Sequence, residues 1–251
     1  MRPIVTLLTD FGTADGYVAE MKGVLLTSNP EMTLVDIAHD VAPHDTEGAR
    51  LAVARYWRRY PPSCVHLVVV DPGVGTDRAA IAVESDGRFL VGPDNGVLSP
   101  ALLARDARAV ALEIPKTASP TFHGRDVFAP AAAKLSSGAG IAALGRPMTD
   151  PVVRRTPEPR RMADGSVAGE VIHVDRFGNA ITNLLAPHGG EVDVVGRTLR
   201  ILRAYGDVPP GAYLALIGSS GLIEIARRDG DAAAGLGLFR GAPVILRLPP
   251  M

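Results

Sequence analysis

The residue types best suited to chemistry gather around one short stretch, Val68-Val69-Val70-Asp71-Pro72-Gly73-Val74-Gly75-Thr76-Asp77-Arg78. A run of β-branched residues ends in an acid, a proline and two glycines, the pattern of a buried parallel strand passing into a tight loop. In open α/β sheets, ligands collect just outside the carboxyl ends of such strands. Asp71 and Arg78 straddle the loop, so a carboxylate and a guanidinium can meet across it. His123, in Thr121-Phe122-His123-Gly124-Arg125-Asp126, adds a ring that titrates near neutrality. Together the three can form a catalytic site. The same three residues can equally brace a loop.

Two more acids, Asp10 and Asp36, fall at or just beyond strand ends. Any one of them suits a helix cap or a braced loop, but three at one sheet edge favour a site. Asp10 is followed by Phe11-Gly12-Thr13-Ala14-Asp15-Gly16, and its carboxylate can accept two hydrogen bonds at once, which suits vicinal hydroxyls. Its other reading is an N-cap for the next helix. Further on, Val174-Asp175-Arg176-Phe177-Gly178-Asn179 is good hairpin chemistry. It also holds what an adenine and amino-acid pocket needs: Phe177 to stack, Asn179 to pair with a base edge, and Asp175 to hold an ammonium. Gly218-Ser219-Ser220-Gly221 offers hydroxyls and N–H groups for a carboxylate. Both segments also read simply as turns.

Other chemistries find less support. Gly73-Val74-Gly75 lacks the third glycine of a dinucleotide fingerprint, no helix follows directly, and no Walker A sequence occurs. His39-Asp40 and His44-Asp45, with Asp10, Asp36 and His123, raise a metal reading, but the spacing does not set His44 beside His39. Loop histidines fit better, and we expect neither metal nor cofactor. The single cysteine, Cys64, excludes an intramolecular disulfide and reads as structural. A net charge of −1 leaves no basic footprint for nucleic acid. With no apolar run near about 18 residues and no signal-peptide pattern, the expectation is a cytoplasmic protein with no membrane partner.

The elements that must position these residues divide the 251-residue chain. At 47% apolar and 21% charged it is ordinary globular material. Residues 1–146 read as alternating strands and helices, a layered α/β domain with a mainly parallel sheet. Strands are expected at Ile4–Leu8, Thr33–Ile37, Val65–Val70 and Ala109–Ile114, with a hairpin around Ser85-Asp86-Gly87. Helices are expected at Asp15–Thr27, Asp45–Arg58, Val97–Leu103 and Val127–Ser136. Residues 147–164, rich in proline and arginine, read as a linker. Residues 165–251 hold short strands with turn signals and a helical insert at Asp231–Leu238, and are expected to form a compact antiparallel β-barrel.

Six segments occur in a telling order: Thr9-Asp10-Phe11-Gly12, Asp36-Ile37-Ala38-His39, Val70-Asp71-Pro72-Gly73-Val74-Gly75, Gly92-Pro93-Asp94-Asn95-Gly96, Phe122-His123-Gly124-Arg125-Asp126 and Asp175-Arg176-Phe177-Gly178-Asn179. In this the chain resembles the S-adenosyl-L-methionine (SAM) hydroxide adenosyltransferases, or SAM hydrolases, relatives of the fluorinases and chlorinases. The likeness runs from the first strand to the last. It implies an α/β domain, a C-terminal β-barrel, and a homotrimer with sites between subunits. It implies SAM as substrate, adenosine and L-methionine as products, and no metal. The hydrolases' Asp-Arg-His set falls on Asp71, Arg78 and His123. Asp10 matches the residue that holds the ribose hydroxyls, with Phe11 beside it. Asp175 and Ser219 match the methionine end, and Phe177 and Asn179 the adenine side. Ser220 and Arg227 align with contacts in the halogenases, where Ser220 replaces an arginine. Those relatives have a tyrosine and a threonine in place of Asp71 and Val74, lack the Arg-His pair, and carry a loop insertion absent here. The departures argue against a halide site. A halogenase of the same family and a non-catalytic SAM or adenosine sensor are the alternatives, followed by a metal-dependent phosphohydrolase.

Overall fold

The computed structural model of the chain describes residues 2–186 and 189–248, so the last three residues of the expected C-terminal domain lie outside the described residues. The chain divides into two compact units, Met1–Arg155 and Thr156–Met251.

The strands of the first unit are β1 (Ile4–Thr9), β2 (Thr33–Ala38), β3 (Val65–Val69), β4 (Ala80–Ser85), β5 (Arg88–Pro93), β6 (Arg108–Leu112) and β7 (Gly145–Pro147). They form one sheet in the order β2-β1-β3-β5-β4-β6-β7. β1 runs parallel to β2 and β3, and β3 parallel to β5. β4 runs against both its neighbours, and β7 runs against β6. The sheet is therefore mainly parallel with reversed strands toward one edge. β4 and β5 are joined by Asp86-Gly87, both at positive φ, as a tight primed turn requires.

Helices α1 (Tyr17–Ser28), α2 (Thr46–Tyr56), α3 (Ser99–Leu102) and α4 (Ala129–Ser136) complete the unit. The two-residue period of the strands sorts their side chains between two cores. Val5, Leu7, Val65, Leu67 and Val69 pack with Met21 and Leu25 of α1 and with α4. Leu8, Val68, Val70, Ile81 and Val83 pack with Ala49 and Val53 of α2, Trp57 and Leu98. Every residue of β3 is buried, which is why its sequence is an unbroken apolar run but for His66. Truncating Leu67 to alanine there costs about 2–5 kcal/mol. Asp45 caps α2, accepting the Gly48 N–H at 3.0 Å. The helix expected at Val97–Leu103 is the single turn α3, with Pro100 inside its first turn. The helix expected from Val127 begins earlier, as a π turn over Gly124–Phe128 that runs into α4.

The second unit holds β8 (Arg160–Arg161), β9 (Val167–Val174), β10 (Ala180–Thr182), β11 (Glu191–Val194), β12 (Arg197–Leu202), β13 (Tyr213–Ile217), β14 (Ile223–Arg227) and β15 (Pro243–Arg247), with α5 (Ala232–Leu236). The order is β10-β14-β13-β12-β11-β15-β9-β8, and β9 also pairs with β10, closing seven strands into a barrel. Val171, Val192, Leu199, Ile223, Ile225 and Val244 fill its core. The expected barrel is present, and its strands pair antiparallel except for β12 and β13, which pair in parallel. Residues 203–212 between them are no tight turn, and a crossover of that length carries the chain back to the end from which β12 began.

The Pro- and Arg-rich segment expected as a linker is tied at both ends. Val152 N–H donates to Asp94 at 2.8 Å and Arg154 N–H to Ser99 Oγ at 2.8 Å. Further along, Arg160 and Arg161 pair with β9.

Candidate active site

Asp71 lies two residues beyond β3, at the carboxyl edge of the parallel strands. The loop that follows is a series of turns: Val74 N–H bonds the Asp71 carbonyl at 3.3 Å, and Thr76 N–H the Gly73 carbonyl at 3.2 Å. Gly75 at the tip has φ +76, and a Cβ there would collide with the Pro120 carbonyl. Only glycine permits both the left-handed backbone and the close approach. The loop tip thus packs on the segment that carries His123, and the chain returns Arg78 to Asp71 just before β4.

The three side chains join into one network. Arg78 Nε donates to both Asp71 oxygens, at 2.9 and 3.1 Å, and its Nη2 also donates to Oδ2. The same Nη2 lies 2.8 Å from His123 Nδ1. The Asp71 and Arg78 side chains are 5% and 9% exposed, and His123 is 4% exposed. The Arg78 guanidinium also lies over the Phe128 ring, 5.3 Å from its centroid. His123 is aimed by its own loop, in which Asp126 accepts the Ser119 N–H at 2.8 Å and is itself held by Arg125 Nε at 2.7 Å.

The electrostatics favour a neutral His123 ring. Burial, then the charge of Arg78, hold the His123 pKa below the ordinary histidine value, against smaller opposing effects of Asp71 and Asp126. A guanidinium only donates, so His123 Nδ1 is the acceptor and the neutral ring carries its proton on Nε2. Arg78 Nη1 is buried with no protein partner among the described residues. An unpaired charged donor of this kind is costly unless a ligand oxygen meets it. The cluster therefore presents donors, backed by a buried carboxylate that balances their charge.

Asp10 follows β1, next to β3 in the sheet. Its Oδ2 accepts the His44 N–H at 2.8 Å. Phe11 packs edgewise with Phe122 and tilted against Tyr17, at 5.8 and 5.7 Å between ring centroids. One sheet edge thus gathers Asp10, Phe11, Asp71, Arg78 and His123.

The remaining expected residues lie in the second unit. Asp175 accepts the N–H groups of Phe177 and Asn179, both at 2.9 Å, and the Asn179 side-chain amide at 3.0 Å. Phe177 is 78% exposed while Asn179 is 5% exposed. Gly178 between them has φ +79 and rests against the Asp231 carboxylate. Phe177, Asn179 and Arg227 line a cavity of about 510 Å³ together with Tyr205, Asp229 and Gly230. Ser219 and Ser220 are exposed in the turn between β13 and β14.

Two residues in this unit escaped the sequence reading. Tyr205 takes a 3.3 Å hydrogen bond from Asn179. Glu224 is 6% exposed in β14, and it and Asp175 push the Tyr205 hydroxyl pKa up, after burial itself. An acid inside Ile223-Glu224-Ile225-Ala226 was the available signal for Glu224. Tyr205, in an irregular crossover, offered none. Among the described residues, no three His, Cys, Asp or Glu side chains are placed to hold a metal ion.

Comparison with known proteins places this geometry in context. The family models for the SAM hydroxide adenosyltransferase N-terminal and C-terminal domains match residues 5–145 and 169–245. Relatives named (R)-S-adenosyl-L-methionine hydrolase include one from Thermus thermophilus, 46% identical over 98% of this chain and 100% of its own length. Fluorinases are more distant: that of Nocardia brasiliensis is 26% identical over 98% of this chain and 97% of its own. Among solved structures, a conserved protein from Thermotoga maritima superposes with a TM-score of 0.87 at 34% identity, covering 96% of this chain and 99% of that one.

Proposed function

The chain belongs to the SAM hydroxide adenosyltransferase family, and from that premise we propose that it hydrolyses S-adenosyl-L-methionine at C5′ to adenosine and L-methionine. The observation that carries the reading is the buried Asp71–Arg78–His123 network, whose spare donors suit an oxygen nucleophile. The overall identity points the same way, since relatives named hydrolases reach 46% and the fluorinase quoted above 26%.

The reaction is a substitution at carbon. A C5′–O bond forms, the C5′–S bond breaks, and its electron pair returns to sulfur. The departing thioether is neutral, so departure needs no acid. The difficulty lies with the nucleophile, because bulk water has a pKa of about 15.7. In our reading, Arg78 Nη1 and His123 Nε2–H hold the attacking oxygen and stabilise its hydroxide character. Neutral His123 has no lone pair left for the proton, since Nδ1 is taken by Arg78. Both Asp71 oxygens also face Arg78. The proton is therefore released to solvent, and Asp71 acts by fixing the guanidinium. Orientation and electrostatic preorganisation supply the rate enhancement.

Substrate contacts complete the proposal. Asp10 and Phe11 take the ribose side, Asp175 and Ser219 the methionine end, and Phe177 and Asn179 the adenine. Ser220 and Arg227 contribute beside them. We also propose that no metal or cofactor takes part, that the protein is a cytoplasmic homotrimer, and that its sites are shared between subunits. Exposed Phe177, Leu185, Ile217 and Phe239 give the second unit apolar surface for such an assembly. No helix among the described residues is long and apolar enough to cross a membrane.

Turnover in ¹⁸O-labelled water tests the reaction: label should enter adenosine at O5′ and leave methionine unlabelled, with rates unchanged by chelator. Methylthioadenosine or S-adenosylhomocysteine as main product overturns it. Mixing inactive Asp71→Asn protein with the weakly binding Asp175→Ala protein, at SAM well below the raised KM of the latter, tests the shared sites; activity should exceed the sum of the two alone as mixed trimers form.

A further inference from the structure

A chain of polar contacts, buried at Thr9 and His39 and open to solvent at Asp36 and Lys22, joins the loops after β1 and β2, and the reaction as described leaves it unused. Lys22 Nζ donates to Asp36 Oδ2 at 2.7 Å. Asp36 Oδ1 lies 3.0 Å from His39 Nε2, an electrostatic contact whose geometry falls short of a hydrogen bond. His39 Nδ1 lies 2.9 Å from Thr9 Oγ1, which in turn accepts the Phe11 N–H at 3.3 Å. His39 is 7% exposed and Thr9 fully buried, so water cannot replace the contact between them.

The chain has one self-consistent direction. A ring nitrogen that faces a carboxylate carries the proton, which leaves His39 Nδ1 as acceptor. The Thr9 hydroxyl then donates to that nitrogen, and its oxygen remains free to accept from Phe11. Two backbone contacts tighten the same junction. Gly12 N–H donates to the His39 carbonyl at 2.7 Å, and His44 N–H to Asp10 Oδ2 at 2.8 Å. Asp10 therefore sits between two residues, Thr9 and Phe11, that the chain fixes from the next strand over. Its other oxygen, Oδ1, has no partner among the described residues.

We propose that Thr9, His39 and Asp36 are positioning residues that set the Asp10 carboxylate against the 2′,3′-diol of the substrate ribose. The proposal rests on the reading of Asp10 as the diol-binding residue. A carboxylate held in one place by the loop behind it loses more when a hydroxyl is missing than one free to turn toward water. Sites built to hydrogen-bond a hydroxyl discriminate strongly against analogues that lack it. Loosening the support should therefore erode discrimination rather than activity in general.

The experiment compares kcat/KM for SAM and its 2′-deoxyribosyl analogue. The unmodified protein should prefer SAM about a hundredfold or more. Thr9→Val, which keeps the shape but removes the hydroxyl, should cut that preference about tenfold through the SAM rate alone, and Thr9→Ser should restore it. His39→Gln, which keeps the Asp36 contact and loses Thr9, should match Thr9→Val and serves in its place if that variant does not fold. Equal loss on both substrates reveals a packing role and overturns the proposal. Asp10→Asn separates the two layers. If it abolishes the preference while Thr9→Val and His39→Gln retain it, positioning fails alone. If Asp10→Asn itself retains the preference, the reading of Asp10 fails and the proposal falls with it.

Discussion

Asp71 and Asp175 are both acids in tight connections just after strands, yet they are held in opposite ways. Asp71 is bound by Arg78, seven positions along, and through it by His123, from a loop 45 positions beyond Arg78. Asp175 is bound by its own turn, through amides no more than four positions away. The first arrangement exists only when two loops of the folded first unit converge. The second forms wherever the turn forms. A long-range network can hold buried, uncompensated donors toward a ligand because the fold over-determines them. A local turn satisfies its carboxylate at once and leaves it suited to modest polar contacts.

The sharpest way to break this contrast is Arg78→Met. It removes the donors and leaves Asp71 buried without its partner, so we expect kcat to fall about a thousandfold and stability to drop by about 3–5 kcal/mol. Adding Asp71→Leu should recover much of the stability, read by Tm, and none of the activity. Recovery of turnover in the double variant would refute a chemical role for the pair.

Next comes acid sensitivity. His66, on β3, is fully buried beside Thr6, and burial pushes its pKa down to about 4. The unfolded chain binds that proton near pH 6.5 and the folded one only near 4. Stability is therefore fully present above pH 6.5 and declines as pH falls toward 4, by roughly 3 kcal/mol for this group. Denaturant melts at pH 7 and pH 4.5 should show the first unit weakening more than the barrel. His66→Asn, which keeps an atom for Thr6, should flatten the difference. The lowered pKa of His123 likewise places the acid limb of kcat/KM below the ordinary histidine range.

Asp175→Asn should act more gently. We expect KM for SAM to rise about tenfold with kcat little changed, because one contact to the substrate ammonium loses its charge. A fall in kcat alone would move Asp175 into the chemistry. The smallest effect concerns Cys64, whose thiol is buried and pushed up to about 12. Iodoacetamide at pH 8 should label it only after unfolding, read by mass spectrometry, with no loss of activity in the folded protein.

Much of this was legible in the sequence. The apolar run Val65–Val70 gave β3, and Asp86-Gly87 between two alternating runs gave the β4–β5 hairpin, because both signals are local. The strand positions of the barrel were local in the same sense. The parallel β12–β13 pairing was not, since the direction of a strand depends on where a crossover lets it land. The π turn at Gly124–Phe128 also went unseen, because a single wide turn leaves no period to detect. Thr9 and His39 carried no signal of partnership, being thirty positions apart.

By itself the sequence determined which residue types were available and which elements would carry them: acids at strand ends, a histidine before a helix, glycines where loops must turn. Only the tertiary structure decided that Arg78 donates to Asp71 and His123 together, that Gly75 must pass beneath the Pro120 carbonyl, and that Glu224 lies buried in the barrel wall. The reason is physical. Propensity and period act over a few neighbouring residues, whereas a proton's position on His123 depends on a charge brought to it from a distant loop and on the water that packing excludes.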